Sequence, residues 1–119
     1  MSRLNLSEKL ALFSSHWDPK IIAELNGQHV KLVKIQGEFV WHSHADEDEL
    51  FLVLQGCFRM EYRDRVEVLN PGDLTVVPRG VEHRPVADQE CAILLFEPAS
   101  TVNTGNAGGD KTVARPGWI

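Results

Sequence analysis

The stretch WHSHADEDELFLVLQG, residues 41–56, decides the fold and raises the question of function. Two histidines, His42 and His44, stand two residues apart, ahead of a run of acids and an apolar segment. Side chains in a strand alternate between two faces, so both imidazoles are expected to point the same way. Glu49 opens the apolar segment with the same parity as its phenylalanine. If that parity faces the interior, a carboxylate lies at the mouth of an apolar cavity.

A second informative stretch is NPGDLTVVPRGVEHRP, residues 70–85. Gly72 follows a turn, a β-branched strand runs to Pro78, and Gly80 permits another tight turn. His83 then begins a return strand. This order predicts that His83 comes back toward the first pair of histidines.

Together these stretches offer a candidate metal site. A buried carboxylate or imidazole without a partner is costly, and a divalent cation removes that cost by accepting the lone pairs. A nitrogen-rich set suits a divalent transition metal such as Mn, Fe, Ni or Zn, and not Ca or Mg. The alternative is four unrelated polar residues satisfied by hydrogen bonds. The predicted ligands are His42, His44, Glu49 and His83.

Three other features near these residues receive plainer interpretations. The acids at 46–48 are expected to form a solvated loop, although they could also attract a cation. His16, at the end of a predicted helix, and His29, after a turn, are not expected to be ligands.

The N-terminal part, residues 1–18, is predicted to contain a short helix. Asn5 and Glu8 form a capping-box pattern ahead of apolar residues at helical spacing. Further on, Asn26 and Gly27 separate two β-prone runs, which is a strong hairpin signal.

Residues 19–97 read as a succession of short strands separated by turn residues, typical of an all-β sandwich or barrel. The tail, 98–119, is rich in Gly, Asn and Thr and is predicted to be extended or loosely ordered. Its last residues, Trp118 and Ile119, could dock on the barrel or on another subunit, or fray. The predicted strands are 20–25, 28–35, 38–44, 49–54, 57–63, 66–69, 74–78 and 91–97.

The strand at 57–63 leaves one question open. Its apolar residues alternate with charged ones, and parity alone does not say which set faces inward. If the apolar set packs against a partner, the arginines could hold an anionic substrate inside. The two sets are Phe58, Met60, Tyr62 and Arg59, Glu61, Arg63.

Length and charge restrict the protein's class. A chain of 119 residues suits one domain, residues 1–119. The net charge of −5 argues against nucleic-acid binding, and apolar runs of five residues fit neither a signal peptide nor a membrane span. Cys57 and Cys91 lie in apolar, strand-like sequence, as buried thiols of a reducing compartment do, so a cytoplasmic location is expected.

The spacing of these residues resembles two motifs of the cupin superfamily. The first is Gly37-x4-His42-x-His44-x4-Glu49-x6-Gly56, and the second is Gly72-x5-Pro78-x-Gly80-x2-His83. The first motif has one residue fewer before His42 than the family pattern usually has. In the second, Ala87 replaces a common asparagine that is not normally a ligand.

The resemblance implies a small single-domain cupin, of the mannose-6-phosphate-isomerase-like type. Its fold would be a jelly-roll barrel, or double-stranded β-helix, holding one metal through the four predicted ligands. A homodimer is also implied.

As an enzyme, such a protein would be a metal-dependent dioxygenase, isomerase or decarboxylase acting on a small keto acid, sugar derivative or phenolic. The alternative is a non-catalytic module that binds or senses a small ligand. The sequence has no Gly-rich phosphate loop and no nucleophilic serine elbow.

Overall fold

The computed structural model describes residues 2–119, and its regular elements are eight β-strands and one short helix. No helix among these residues is long and apolar enough to cross a membrane. The elements in chain order are α1 (Leu6–Leu10), β1 (Lys20–Leu25), β2 (Gln28–Glu38), β3 (Glu49–Gln55), β4 (Phe58–Tyr62), β5 (Val66–Leu69), β6 (Leu74–Val77), β7 (His83–Pro98) and β8 (Gly117–Trp118).

The 16-residue strand β7 organises the sheet. It pairs antiparallel with β2 along most of its length, with β4 near its start and with β3 near its end. β5 extends the sheet from β4, and β6 extends it from β3. The curved antiparallel arrangement is the predicted jelly-roll barrel.

The inner face of this sheet encloses the main core. The burial of β3 and β4 alternates residue by residue, as expected for strands with one face inward. Phe58, Met60 and Tyr62 all belong to the inner core. The charged residues of the same strand therefore face outward, and Arg59 pairs at 2.8 Å with exposed Asp88. The structure thus decides against arginines lining the interior.

A second apolar cluster lies on the outer face, where α1 packs. Leu10 of α1 contacts Ile22, Leu32 and Ala92 there. The helix begins as predicted, because the Glu8 backbone N–H donates to the Asn5 side chain at 2.9 Å. The hairpin at Asn26 is also confirmed, since both its turn residues have positive φ and join β1 to β2.

The predicted strand at 38–44 is wrong. β2 ends at Glu38, and the chain then has only an isolated bridge between His42 and His83. The reason lies in the opposite strand, where Pro85 accepts a hydrogen bond from the Phe39 N–H at 3.0 Å but has no N–H to return. The ladder is interrupted there.

Cys91 is fully buried as predicted, but Cys57 is exposed, and both thiols are free. Cys57 follows the turn at Gly56 and precedes inward-pointing Phe58, so its own side chain lies outside the barrel.

The tail is more ordered than predicted. Its Gly117–Trp118 segment pairs in parallel with β1, and the Ile119 N–H donates to the Ile21 carbonyl at 3.1 Å. Thr101 and Thr104 are buried. The tail therefore folds back onto the barrel, although Trp118 remains half exposed.

Candidate metal centre

All four predicted ligands meet at one end of the barrel interior. His42 and His44 lie on the connection between β2 and β3, Glu49 begins β3, and His83 begins β7. Each side chain is at most 4% exposed. One donor atom from each residue lies within 4.8 Å of the donor atoms of the other three.

Backbone hydrogen bonds fix this arrangement. His42 and His83 exchange N–H to carbonyl bonds of 3.1 and 2.9 Å, so their side chains start from paired backbones. The Gly80 N–H donates to the His44 carbonyl at 2.7 Å, which ties the second turn to the first motif. The predicted return of His83 toward the first pair therefore follows from two short backbone contacts.

Further hydrogen bonds orient two of the imidazoles. His42 Nδ1 lies 2.9 Å from the Val40 carbonyl, and His83 Nδ1 lies 2.9 Å from the Val81 carbonyl. Since a carbonyl only accepts, each Nδ1 carries a proton, which leaves Nε2 as the ring nitrogen available to a metal. Burial and the neighbouring His83 lower the pKa of His42 to about 4, so this imidazole is neutral near pH 7.

The atoms at the centre of the cluster lack hydrogen-bond partners, and a cation bound there would interact with all of them. His44 Nε2, His83 Nε2 and Glu49 Oε1 are buried and have no hydrogen-bond partner. Glu49 Oε1 lies 3.4 Å from His44 Nε2 and 3.5 Å from His83 Nε2. Donors about 2.1 Å from one ion lie roughly 3.0 to 3.5 Å from each other. These residues therefore fit a divalent transition metal.

Two buried residues beside the cluster were missed from the sequence. Lys31 donates to Glu97 Oε1 at 2.8 Å, and both side chains are 2% exposed. Burial and the charge of Glu49 raise the pKa of Glu97 well above its usual range. Burial alone would raise the pKa of Glu49 as well, but contacts with Glu97 and the imidazoles hold it well below its usual range. Lys31, Glu97 and Glu49 therefore form one buried polar group beside the imidazoles.

Comparison with known proteins gives the family. A family model described as a cupin domain matches residues 29–97, which include all four clustered residues. The chain belongs to the cupin family.

Three relatives show how far this similarity extends. A cupin-2 domain containing protein from Shewanella frigidimarina is 48% identical in sequence, with a TM-score of 0.79 over 80% of this chain and 93% of that one. Protein NMB1881 from Neisseria meningitidis is 30% identical, with a TM-score of 0.75 over 82% of this chain and all of that one. The uncharacterized protein YdbB of Bacillus subtilis is 39% identical over 80 residues, 66% of this chain and 65% of that protein.

The interior of this cupin has an apolar cavity of about 40 Å³ that reaches the metal cluster. That volume holds two or three waters at most. Besides the ligand His42, three of its wall residues lie outside the barrel strands: Trp17, with a left-handed backbone (φ 57°), Pro19, and Asn103 of the tail. The cavity is lined by Trp17, Pro19, Val33, Ile35, His42, Glu49, Phe51, Pro85, Ile93, Leu95 and Asn103.

The remaining polar candidates have structural contacts. Asp48 accepts the Arg79 backbone N–H at 2.8 Å, and this bond lowers the pKa of Asp48. Glu47 accepts the Ser100 hydroxyl at 3.0 Å. The acidic loop of this cupin therefore fastens the turn at 78–81 and the tail to the site.

Both histidines that were not expected to be ligands lie outside the cluster. His16 is exposed and pairs with Glu90 at 2.7 Å. His29 is half-buried, 3.5 Å from Glu24 and packed edge-on against Trp118.

Proposed function

We propose that this cupin holds one divalent transition metal through three imidazoles and one carboxylate. The observation that carries the proposal is the convergence of buried donor atoms without partners, His44 Nε2, His83 Nε2 and Glu49 Oε1. Such atoms are costly to bury unless something binds them. Mn, Fe, Ni and Zn all suit this donor set.

The open coordination positions would receive a small organic molecule. A bound metal ion would polarise a carbonyl or activate dioxygen there, which is the chemistry of a dioxygenase, isomerase or decarboxylase. The protein contributes oriented imidazoles and a largely apolar enclosure. We expect its location to be the cytoplasm.

The cavity wall favours one of the three expected ligand classes. Among the described residues, no lysine or arginine lines the cavity, which provides no counter-charge for a phosphate. Its walls are aromatic and aliphatic apart from Asn103 and the metal ligands. This composition favours a phenolic over a sugar derivative, and it argues against a mannose-6-phosphate-isomerase-like activity. A charged keto acid would depend on the metal itself for its carboxylate.

A second candidate function is non-catalytic binding or sensing of a small ligand. The small cavity volume of about 40 Å³ favours it, because a phenolic ring enters only if the wall moves. Apart from the ligand His42, the wall residues outside the barrel strands are Trp17, Pro19 and Asn103, so they are where such movement is expected. Oxygen uptake with a panel of phenolics, measured on metal-loaded protein, distinguishes an enzyme from a binder.

The His44→Ala variant tests the metal site directly. Loss of a ligand should weaken metal binding by more than about a hundredfold, because even loss of an outer-sphere partner can reach that size. Elemental analysis after reconstitution with Mn, Fe, Ni or Zn should give about one metal per wild-type chain and almost none in the variant.

The matched control is His16→Ala, which removes an exposed histidine outside the cluster and should leave the metal content unchanged. Wild-type protein that takes up none of the four metals contradicts the proposed function.

A further inference from the structure

A polar pair lies deep in the barrel beside the candidate metal ligands. The Lys31 ammonium donates to Glu97 Oε1 at 2.8 Å, and each side chain is 2% exposed. Burying a lysine is expensive, and a buried charged pair is poor evidence for added stability. The metal ligands themselves do not include these two residues. Their burial therefore needs another explanation.

The sheet register connects this pair to the site. Leu50 of β3 is paired with Phe96 of β7. Because the two strands are antiparallel, the residue before Leu50, Glu49, lies beside the residue after Phe96, Glu97. Lys31 of β2 stands opposite Leu95, two residues before Glu97 on the same face. Three neighbouring strands thus place a lysine and two glutamates close together on one face of the sheet.

These side chains form a series of contacts. Glu97 Oε1 accepts from Lys31, whereas buried Glu97 Oε2 has no hydrogen-bond partner, and Glu97 lies next to Glu49. Glu49 Oε1 also has no partner and faces the imidazoles of His44 and His83. The series ends at the atom best placed to bind a cation.

We propose that Lys31 and Glu97 are positioning residues that hold the Glu49 carboxylate, through its contact with Glu97, in the orientation that binds the metal. This inference rests on the proposed metal site. Lys31 fixes Glu97, and Glu97 fixes Glu49. Partners of this kind commonly change metal affinity by about tenfold to a hundredfold.

Two substitutions of Glu97 separate positioning from packing. Glu97→Gln keeps an oxygen for Lys31 and an N–H donor for Glu49, whereas Glu97→Leu fills similar space with neither. Affinity for Co²⁺ is measured by competition with a chelator, and the visible absorption of the bound Co²⁺ reports its coordination. Thermal melting of the metal-free proteins reports folding separately.

We expect Glu97→Leu to bind Co²⁺ about tenfold to a hundredfold more weakly, with an altered absorption spectrum. Glu97→Gln should stay within about threefold of wild type and keep the wild-type spectrum. Lys31→Met, which keeps the contact between Glu97 and Glu49 but removes the donor that fixes Glu97, should give a smaller loss and provides the second test if Glu97→Leu does not fold.

The control is Glu61→Leu, which removes a half-buried glutamate bound to Arg84 on the outer side of the barrel. It should leave the Co²⁺ affinity and spectrum unchanged.

The outcomes are distinguishable. If the folded Glu97→Leu and Lys31→Met variants melt at lower temperature yet bind Co²⁺ with wild-type affinity and spectrum, the pair only stabilises the fold and the positioning role is overturned. If wild-type protein itself binds no Co²⁺ or other transition metal, the proposed function falls and this inference falls with it.

Discussion

At the scale of single residues, the candidate site depends on which groups stay uncharged inside the barrel. His42 is held neutral by burial and orients its proton toward Val40. Contacts with Glu97 and the imidazoles hold the pKa of Glu49 well below its usual range, against the effect of burial. The site therefore offers the unprotonated nitrogen of His42 and the carboxylate of Glu49, which are the charge states that a divalent cation requires of its ligands.

Cys91 offers a pH test of the barrel core at the residue scale. Burial raises the pKa of this thiol to about 12, compared with about 9 in the unfolded chain. As pH rises, the thiol loses its proton first in the unfolded state, and this favours unfolding. The stability contributed by the protonated thiol is therefore complete below pH 9 and is lost as pH rises toward 12. At pH 10.5 the free energy of unfolding should have fallen by about 2 kcal/mol from this group.

Urea unfolding at pH 8 and pH 10.5 measures that difference. Other groups also titrate in this range, so the decrease in the free energy of unfolding is compared between wild type and Cys91→Val. The decrease in Cys91→Val should be smaller by about 2 kcal/mol. Cys57→Ser, at an exposed position, should behave like wild type. Equal decreases in all three proteins would show that the Cys91 thiol does not control this pH dependence.

The four ligands could be predicted because their spacing and their turn glycines match two local motifs, although the strand expected to carry His42 and His44 does not form. Lys31 and Glu97 could not. In KLVK and LLFE each reads as an ordinary charge at or near the end of an apolar run. Their inward direction depends on the pairing of β2, β3 and β7, which no local pattern specifies.

At the scale of elements, the connection between β2 and β3 is held by the tail. The Ser43 N–H donates to the Asn106 side chain at 2.8 Å, and the Asn106 N–H donates back to the Ser43 carbonyl at 3.1 Å. The segment next to His44 is therefore bound to a part of the chain more than sixty positions away. The sequence predicted neither this contact nor the end of β2 at Glu38, because both depend on distant partners.

Gly105 makes this contact possible and can be tested. Its φ is 51°, and a Cβ would collide with the Ser43 carbonyl oxygen and lie 3.2 Å from His44 Nδ1. Gly105→Ala should push the tail off the connection, with about 1 to 3 kcal/mol lost in stability and about a tenfold loss of metal affinity. Thermal melting and a Co²⁺ competition titration measure the two effects.

Gly108→Ala is the matched control, because Gly108 also has positive φ, 64°, but its Cβ would meet nothing within 4 Å. Both variants carry the backbone cost of alanine at positive φ, and only Gly105→Ala should weaken metal binding. Equal metal affinities in the two variants would show that the tail does not hold His44 in place.

At the scale of the whole molecule, one outer region of the barrel is unusually apolar. Leu50 lies between Val76 and Phe96, and Leu52 lies between Leu74 and Leu94, across three paired strands. Leu74 is 55% exposed and Val76 is 48% exposed. Within the described residues, β6 pairs only with β3, so its other edge is open. We call these six residues the apolar block.

The homodimer implied by the cupin resemblance stays a prediction, and we propose the apolar block as its contact. The molecule carries a net charge of −5, so two copies repel each other except where the contact has no acids. The block contains no charged residue, and a two-fold contact can bring it against itself. Val76→Lys, in the centre of β6, should therefore convert a dimer to a monomer.

Sedimentation velocity at several protein concentrations measures the change. Val66→Lys is the control, since Val66 is also 55% exposed but lies on β5, away from the block. It should leave the dimer intact, because the lysine would remain in water. A wild-type protein that stays monomeric at about 100 μM, far above the Kd of ordinary stable dimers, would show that no such dimer forms. A dimer that Val66→Lys disrupts and Val76→Lys does not would place the contact elsewhere.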